Sequence, residues 1–344
     1  MTSSGGSGII KPIEKANMWK PLDSNAVPRT VGIKTVLKCF CRGEKVKMKI
    51  SKLYPECKDY IWGGEKLKEK YGKQTDKTPC AESWELSFHK DGFTRLCDGK
   101  TLAETVTEKD LGEKAKAFPF FPVLIKFIDA KENLSVQVHP SDEYALKHEN
   151  SFGKTEMWYI VEAEQGAGIY LGFNRDVSKE EYETAIKENR LTDLLNFYEV
   201  KAGECYFSPS GTIHAIAAGC LICEIQQNSN LTYRVYDYGR RDRNGNEREL
   251  HIDKALKVTN LNRFEPITFE DCLGKCEYFT VQKYETDGEM QFCTDENSFH
   301  CMTCVKGKGV IEDKAIAQGD SFFIPANYGE YTVRGALDLI VTKI

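Results

Sequence analysis

Three short segments concentrate the residue types that can do chemistry. In "LSVQVHP", residues 134–140, the apolar Leu134, Val136 and Val138 alternate with Ser135, Gln137 and His139. Side chains of a strand alternate between its faces, so an amide and an imidazole two residues apart share one side. In "GKTEMWY" the same alternation groups Lys154, Glu156 and Trp158, and "SPSGTIHAI" delivers His214 after a tight turn. His139, Glu156 and His214 make two imidazoles and one carboxylate, a donor set suited to zinc with an open coordination position. Gln137 can add a neutral amide oxygen. One carboxylate against a divalent ion leaves a net charge of about +1, Lewis-acidic and attractive to anions.

Cations lie close to these donors in sequence. Lys154 shares the Glu156 face, and Arg234 follows in "NLTYRVYDY". An ammonium and a guanidinium beside a metal suit a phosphorylated or otherwise anionic substrate. Ser135, on the face of Gln137 and His139, can donate its hydroxyl to a phosphate. Each residue taken alone has a plainer explanation: a hydrogen-bonded core histidine, a snorkelling lysine, an arginine in a structural ion pair. Their joint occurrence is what points to a site. His89, His148, His251 and His300 lack such company and read as structural. The run "GRRDRNGNERE" mixes charges around Asn-Gly and reads as a solvated turn.

Short strands must carry these residues. "WELSFH", "VLIKFIDA", "LSVQVHP", "EMWYIVEA", "GIYLGF", "ECYFSPS" and "LICEIQQ" are aromatic or β-branched and bounded by turn residues. The clearest helix is "SKEEYETAIKENRLTDLLNFY", where Ser178 and Glu181 form a capping-box pattern and Tyr182, Ala185 and Ile186 begin an apolar stripe. It reads as a helical insertion on an all-β body. An internal repeat suggests two related β-barrels: 202–216, "AGECYFSPSGTIHAI", aligns without a gap on 318–332, "QGDSFFIPANYGEYT". Gly203 matches Gly319, Glu204 matches Asp320 and Pro209 matches Pro325. Where the first copy has His214 the second has Glu330, so the first copy is expected to carry the chemistry.

The chain has 344 residues, 41% hydrophobic and 29% charged, with a net charge of −5. That is a globular composition large enough for two domains. It has no long basic block for nucleic acid and no apolar run able to span a bilayer. The 13 cysteines are scattered and odd in number, which fits reduced thiols of a cytoplasmic protein. Cys220/Cys223 and Cys301/Cys304 are C-x-x-C pairs, but each lies in a strand-like run. Residues three apart on a strand point opposite ways, so neither pair is expected to grip an ion. Residues 1–47, opening with the linker-like "TSSGGSG", read as an N-terminal extension with no signal-peptide core, and Met48 as an alternative start.

With these residues in view, the sequence resembles the type I, zinc-dependent mannose-6-phosphate isomerases of the cupin superfamily, in their short bacterial form. The segments that carry the resemblance are "YIWGGEKL", "AESWELS", "LSVQVHP", "GKTEMWYI", "PSGTIHAI", "QQNSNLTYRVYDYGR" and "ELHIDKAL". The resemblance implies a mostly β fold, a double-stranded β-helix (jelly-roll) bicupin with a small helical insertion. The implied division is 1–47 as the extension, 48–262 as the catalytic cupin domain with the helical insert at about 178–198, and 263–344 as a non-catalytic cupin domain. It implies one Zn2+ per chain on Gln137, His139, Glu156 and His214. Lys154 and Arg234 match the active-site cations, Ser135 a phosphate contact, and Glu224 an acidic residue that transfers or orders a proton.

The activity implied is the interconversion of mannose 6-phosphate and fructose 6-phosphate through an enediol(ate). The general base is Lys154 or Glu224, and the residues do not choose between them. Similar proteins have Asp four residues before the active-site arginine, where this chain has Asn230, so the role of a carboxylate there is open. The expected partner is a small sugar phosphate, with no nucleic acid and no membrane. Two rivals remain: an Fe(II)-dependent cupin oxygenase, because two histidines and a carboxylate also suit that ion, and a non-catalytic sugar-binding cupin.

Overall fold

The computed structural model describes residues 48–242 and 244–344; the expected extension at 1–47 lies outside them. Two antiparallel sheets form the N-terminal half. One has six strands in the order Cys205–Ser208, Glu156–Ala163, Cys220–Gln227, Val123–Ala130, Glu82–Leu86 and Glu56–Lys58. The other has five: Leu195–Glu199, Gly168–Phe173, His214–Ile216, Val136–Val138 and Tyr233–Tyr236. The hydrogen-bonded paths stay open, so this jelly roll is two facing sheets rather than a closed barrel. The mostly β cupin architecture expected from the strand patterns and the resemblance is present.

Both faces of the six-stranded sheet are covered. Every residue of Val123–Ala130 and of Cys220–Gln227 is buried. Alternation decides what each meets. Ile125, Phe127, Cys223 and Ile225 pack outward against Phe279, Phe299, Phe323 and Ile340. Ile128, Cys220 and Ile222 face the interior between the two sheets. The C-x-x-C pairs split in the same way: Cys220 and Cys223 lie in different core clusters, as do Cys301 and Cys304.

The C-terminal half is a seven-stranded antiparallel sheet built on the long strands Thr280–Thr294, His300–Ile311 and Gly329–Lys343. The N-terminal strand Ser51–Leu53 joins it at an edge, pairing with Ser321–Ile324. The internal repeat is structural. Gly203 and Gly319 both take a positive φ, 96° and 91°, which glycine adopts without strain. Glu204 accepts from the Lys201 amide at 2.9 Å, and Asp320 accepts from the Ala317 amide at 3.0 Å. The same pattern of backbone bonds then ties Ile160 to Gly203 and Glu204, and Cys304 to Gly319 and Asp320. By this register the place of Glu156 is taken by His300, whose Nδ1 is bonded to Tyr331 Oη at 2.8 Å.

The helix of the insert runs Lys179–Lys187 and buries Tyr182, Ala185 and Ile186. Ser178 accepts from the Glu181 amide at 3.1 Å, but the Glu181 carboxylate turns to Arg175 instead of closing the capping box. The remainder of 178–198 is a single 3-10 turn and then Leu195–Glu199, a strand paired with Gly168–Phe173.

A buried polar clasp joins the halves. Lys73 and Glu85 pair at 2.6 Å with 5% and 0% side-chain exposure. Ser83 and Ser321 donate to the two Glu85 oxygens at 2.7 and 2.9 Å, and Lys73 also reaches the Gly319 carbonyl. Removing one partner strands the other charge in the core. Glu85→Ala should therefore lower the unfolding free energy by about 3–5 kcal/mol, read as a fall in the denaturant midpoint; an unchanged midpoint would show that the clasp adds no stability.

Candidate functional site

Cross-strand pairing assembles the site. On the five-stranded sheet His214 lies opposite Gln137, and Gln137 opposite Arg234. On the facing sheet Trp158 lies opposite Glu224, Glu224 opposite Lys126, and Lys126 opposite Trp84. Residues opposite one another share a face, so two rows of polar side chains look at each other across the interior. Glu156, two residues before Trp158, shares that face.

His139, Glu156 and His214 converge where the sheets meet, their ligating atoms all within 4.8 Å of one another. His139 Nε2 lies 3.6 Å from one Glu156 oxygen and His214 Nε2 lies 3.2 Å from the other. Each histidine donates its Nδ1 hydrogen to a backbone carbonyl, His139 to Leu231 at 2.8 Å and His214 to Thr212 at 2.9 Å. A carbonyl can only accept, so both Nε2 lone pairs are directed inward, the tautomer a metal ligand requires. Gln137 Nε2 lies 3.3 Å from His214 Nε2, and its Oε1 accepts from Ser135 Oγ at 3.3 Å. Lys154 contacts Glu156, lies 3.2 Å from His139 Nε2 and reaches Glu224 at 3.7 Å.

The electrostatics follow from depth. Burial drives His139 well below its usual range, with Lys154 and His214 adding to it, and brings His214 down to about 4. Both imidazoles are neutral at physiological pH. Burial pushes the Glu156 carboxyl up to about 8, against the pull of Lys154. Glu224 shows the opposite balance. Burial alone would raise it, but Lys126 at 2.7 Å, Lys154 and the Trp158 indole N–H at 3.0 Å hold it down at about 2. Glu156 Oε2 is paired with the Lys154 ammonium, while Oε1 is buried with no donor on it. Two inward imidazole lone pairs and a buried carboxylate with one oxygen lacking a donor fit a divalent cation, which would satisfy them at once.

Above this cluster a cleft opens, lined by Ser135, Gln137, Lys154, Glu224 and Arg234 among others. Arg234 Nε is buried without a partner, and burial, then the charge of Arg248, lowers its guanidinium. Asn230 lies at the rim and donates to Asp91 at 3.3 Å, so the carboxylate at this edge comes from a different loop. The structure therefore brings Ser135, Gln137, His139, Lys154, Glu156, His214, Glu224 and Arg234 to one place. His251 supports it indirectly: its amide donates to the Arg234 carbonyl at 2.7 Å and its Nδ1 accepts from the Arg234 amide at 3.3 Å.

Sequence reasoning missed Lys126, Glu82, Tyr60, Trp62 and Arg248, which also line the cleft. Lys126 had a signal: it is the one basic residue in the apolar run "VLIKFIDA". It is 7% exposed, and the carboxylates of Glu224 and Glu82, at 2.7 and 3.5 Å, raise its ammonium above the ordinary range against the effect of burial.

Comparison with known proteins agrees with this layout. Residues 50–167 match the family described as phosphomannose isomerase type I, catalytic domain, and residues 270–344 match the mannose-6-phosphate isomerase cupin domain. Mannose-6-phosphate isomerase ManA of Bacillus subtilis is 35% identical over 311 residues, covering 84% of this chain and 97% of that protein. Mannose-6-phosphate isomerase of Streptococcus mutans is 34% identical over 300 residues, covering 82% and 94%. The crystal structure of mannose 6-phosphate isomerase from Bacillus subtilis superposes with a TM-score of 0.77 at 32% identity, covering 86% of this chain and all of that one.

A carboxyl raised by burial must lose its proton to ligate a cation. Affinity for a divalent cation should therefore rise with pH up to about 8, and binding at neutral pH should release close to one proton, read from the dependence of the calorimetric heat on buffer ionisation enthalpy. In the metal-free protein the same carboxyl, ordinarily near 4.5, favours the fold below that pH and loses this contribution as pH rises through about 8. A heat independent of the buffer would contradict the assignment of Glu156.

Proposed function

The chain belongs to the type I mannose-6-phosphate isomerases, and on that premise we propose that it interconverts mannose 6-phosphate and fructose 6-phosphate with one zinc ion held by Gln137, His139, Glu156 and His214. The observation that carries the reading is Glu156, fully buried between two neutral imidazoles with one oxygen lacking any donor, beneath a cleft where Arg234 Nε is also unpartnered. A phosphorylated sugar suits that cleft. An oxygenase has no use for Lys154 and Arg234 beside the ligands, and the family is an isomerase.

The reaction moves a proton between C1 and C2 of the open-chain sugar phosphate. When bound, zinc supplies Lewis acidity toward the oxygens on those carbons. The chain's own residues do the rest. Arg234 and Ser135 bind the anion from the five-stranded sheet, and Arg234 adds positive charge where the enediolate develops. We assign the proton transfer to Lys154 Nζ. Glu224, held ionised down to about 2, is too weak a base; it serves to balance and orient Lys154 and Lys126. Trp158 fixes the Glu224 carboxylate, and its ring meets His214 edge-on at 5.2 Å. We further read 48–262 as the catalytic unit and 263–344 as its non-catalytic companion, because the second copy of the repeat has His300 and Glu330 where the first has Glu156 and His214. Among the described residues no helix is long and apolar enough to cross a membrane, and a cytoplasmic setting suits the reduced thiols.

Two variants separate the roles. His214→Ala should lose stoichiometric zinc and with it the coupled isomerase activity, and zinc should not restore it. Lys154→Ala should keep its zinc while kcat falls on the order of 10²–10⁴-fold, the usual worth of a general base. Full activity in His214→Ala, or an unchanged kcat in Lys154→Ala, would sink the corresponding assignment.

A further inference from the structure

The acidic residue Asp237 is 5% exposed and lies beside the cleft without lining it. Two guanidiniums hold it. Arg248 donates through Nε at 2.7 Å and through Nη2 to the other oxygen, and Arg240 contacts it three residues along the chain. Burial would raise the Asp237 carboxyl, but these hydrogen bonds keep it below its ordinary value, so it stays ionised. The loop between them is built to return the chain to this point. Asp242 accepts from the amides of Asn244 and Asn246 at 2.8 Å each, Gly245 takes φ 82°, and Arg241 pairs with Glu247 at 2.6 Å. The Asn-Gly turn is solvated as its sequence suggests, yet its stem delivers Arg248 into the lining of the cleft.

Arg248 has a fixed orientation and a further guanidinium edge. Asp237 occupies Nε and Nη2, leaving Nη1 without a bond to it. Its charge acts on Arg234, whose Nε is itself unpartnered; Asp237 offsets part of it but is shared with Arg240, so this edge of the half-buried cleft keeps a surplus of positive charge that an anion would relieve. We propose that Arg248 is the second guanidinium of the phosphate subsite, oriented by Asp237 and acting with Arg234 to select a dianionic phosphate over an uncharged hydroxymethyl group. The inference rests on the sugar phosphate reading above and adds a specificity residue to it. A planar guanidinium with one edge already held in place loses little freedom on gripping phosphate oxygens.

The test uses the full zinc-loaded chain with Arg248→Ala and Arg248→Gln; the glutamine can still donate to Asp237 and keeps the loop seated if alanine fails to fold. Inorganic phosphate binding by calorimetry should weaken on the order of 10- to 100-fold in both, the scale of a lost charge-assisted hydrogen bond. KM for mannose 6-phosphate should rise by a similar factor, with the loss falling on KM more than on kcat. Phosphate affinity and KM equal to the parent's in a folded variant would overturn the proposal. If the parent chain does not interconvert the two sugar phosphates, the functional reading fails, while the phosphate calorimetry still decides the role of Arg248.

Discussion

The burial of Glu156 is the constraint on which the rest depends. Its carboxylate is 0% exposed, and water cannot reach it to share its charge. Taking an isolated carboxylate out of water costs several kcal/mol even after relaxation. Lys154 supplies one compensating charge. The two histidines do not, because their Nδ1 hydrogens are committed to Leu231 and Thr212 and their inward nitrogens carry lone pairs. Lone pairs directed at a carboxylate call for positive charge between them, a proton in the metal-free protein or a divalent cation that would engage both nitrogens at once. The chain thus spends stability on a cage, and the cage defines the chemistry.

Holding that cage requires rigid walls on all sides. The six-stranded sheet supplies one wall because its outer face is covered by Phe279, Phe299, Phe323 and Ile340. Without that cover, the side chains beside Lys126 and Glu224 would be apolar groups facing water. No described residue of the C-terminal half lies in the His139–Glu156–His214 cluster or lines the cleft, yet that half makes possible a sheet that can be charged within and apolar without. The Lys73–Glu85–Ser321 clasp fixes the two halves at the same strand that places Glu82 along the cleft.

Much of this was legible in the sequence because it is local. Period-two alternation in "LSVQVHP" and "GKTEMWY" already puts Gln137 with His139 and Lys154 with Glu156, and pairing of neighbouring strands completes the set with His214. The repeat was readable because its acidic turn, positive-φ glycine and terminal proline are short-range features. What escaped depends on pairings across long separations. Lys126 looks like an interruption of an apolar strand until Glu224 is seen beside it, 98 positions on by the sequence. Arg248 sits in a run of mixed charge that reads as solvent-exposed, and only the buried Asp237 turns it inward. Ser51–Leu53 lies next to residues of the first half and pairs with the last sheet instead. Hydrophobic pattern specifies faces; it does not specify which distant strand or charge will meet them.

The most direct measurement is anomalous diffraction at the zinc edge from crystals of the full chain grown with the metal. The account predicts a single strong peak inside the N-terminal half, about 2.0–2.2 Å from His139 Nε2, His214 Nε2 and a Glu156 oxygen. A peak on other residues, or no peak at this position under saturating zinc, would contradict it.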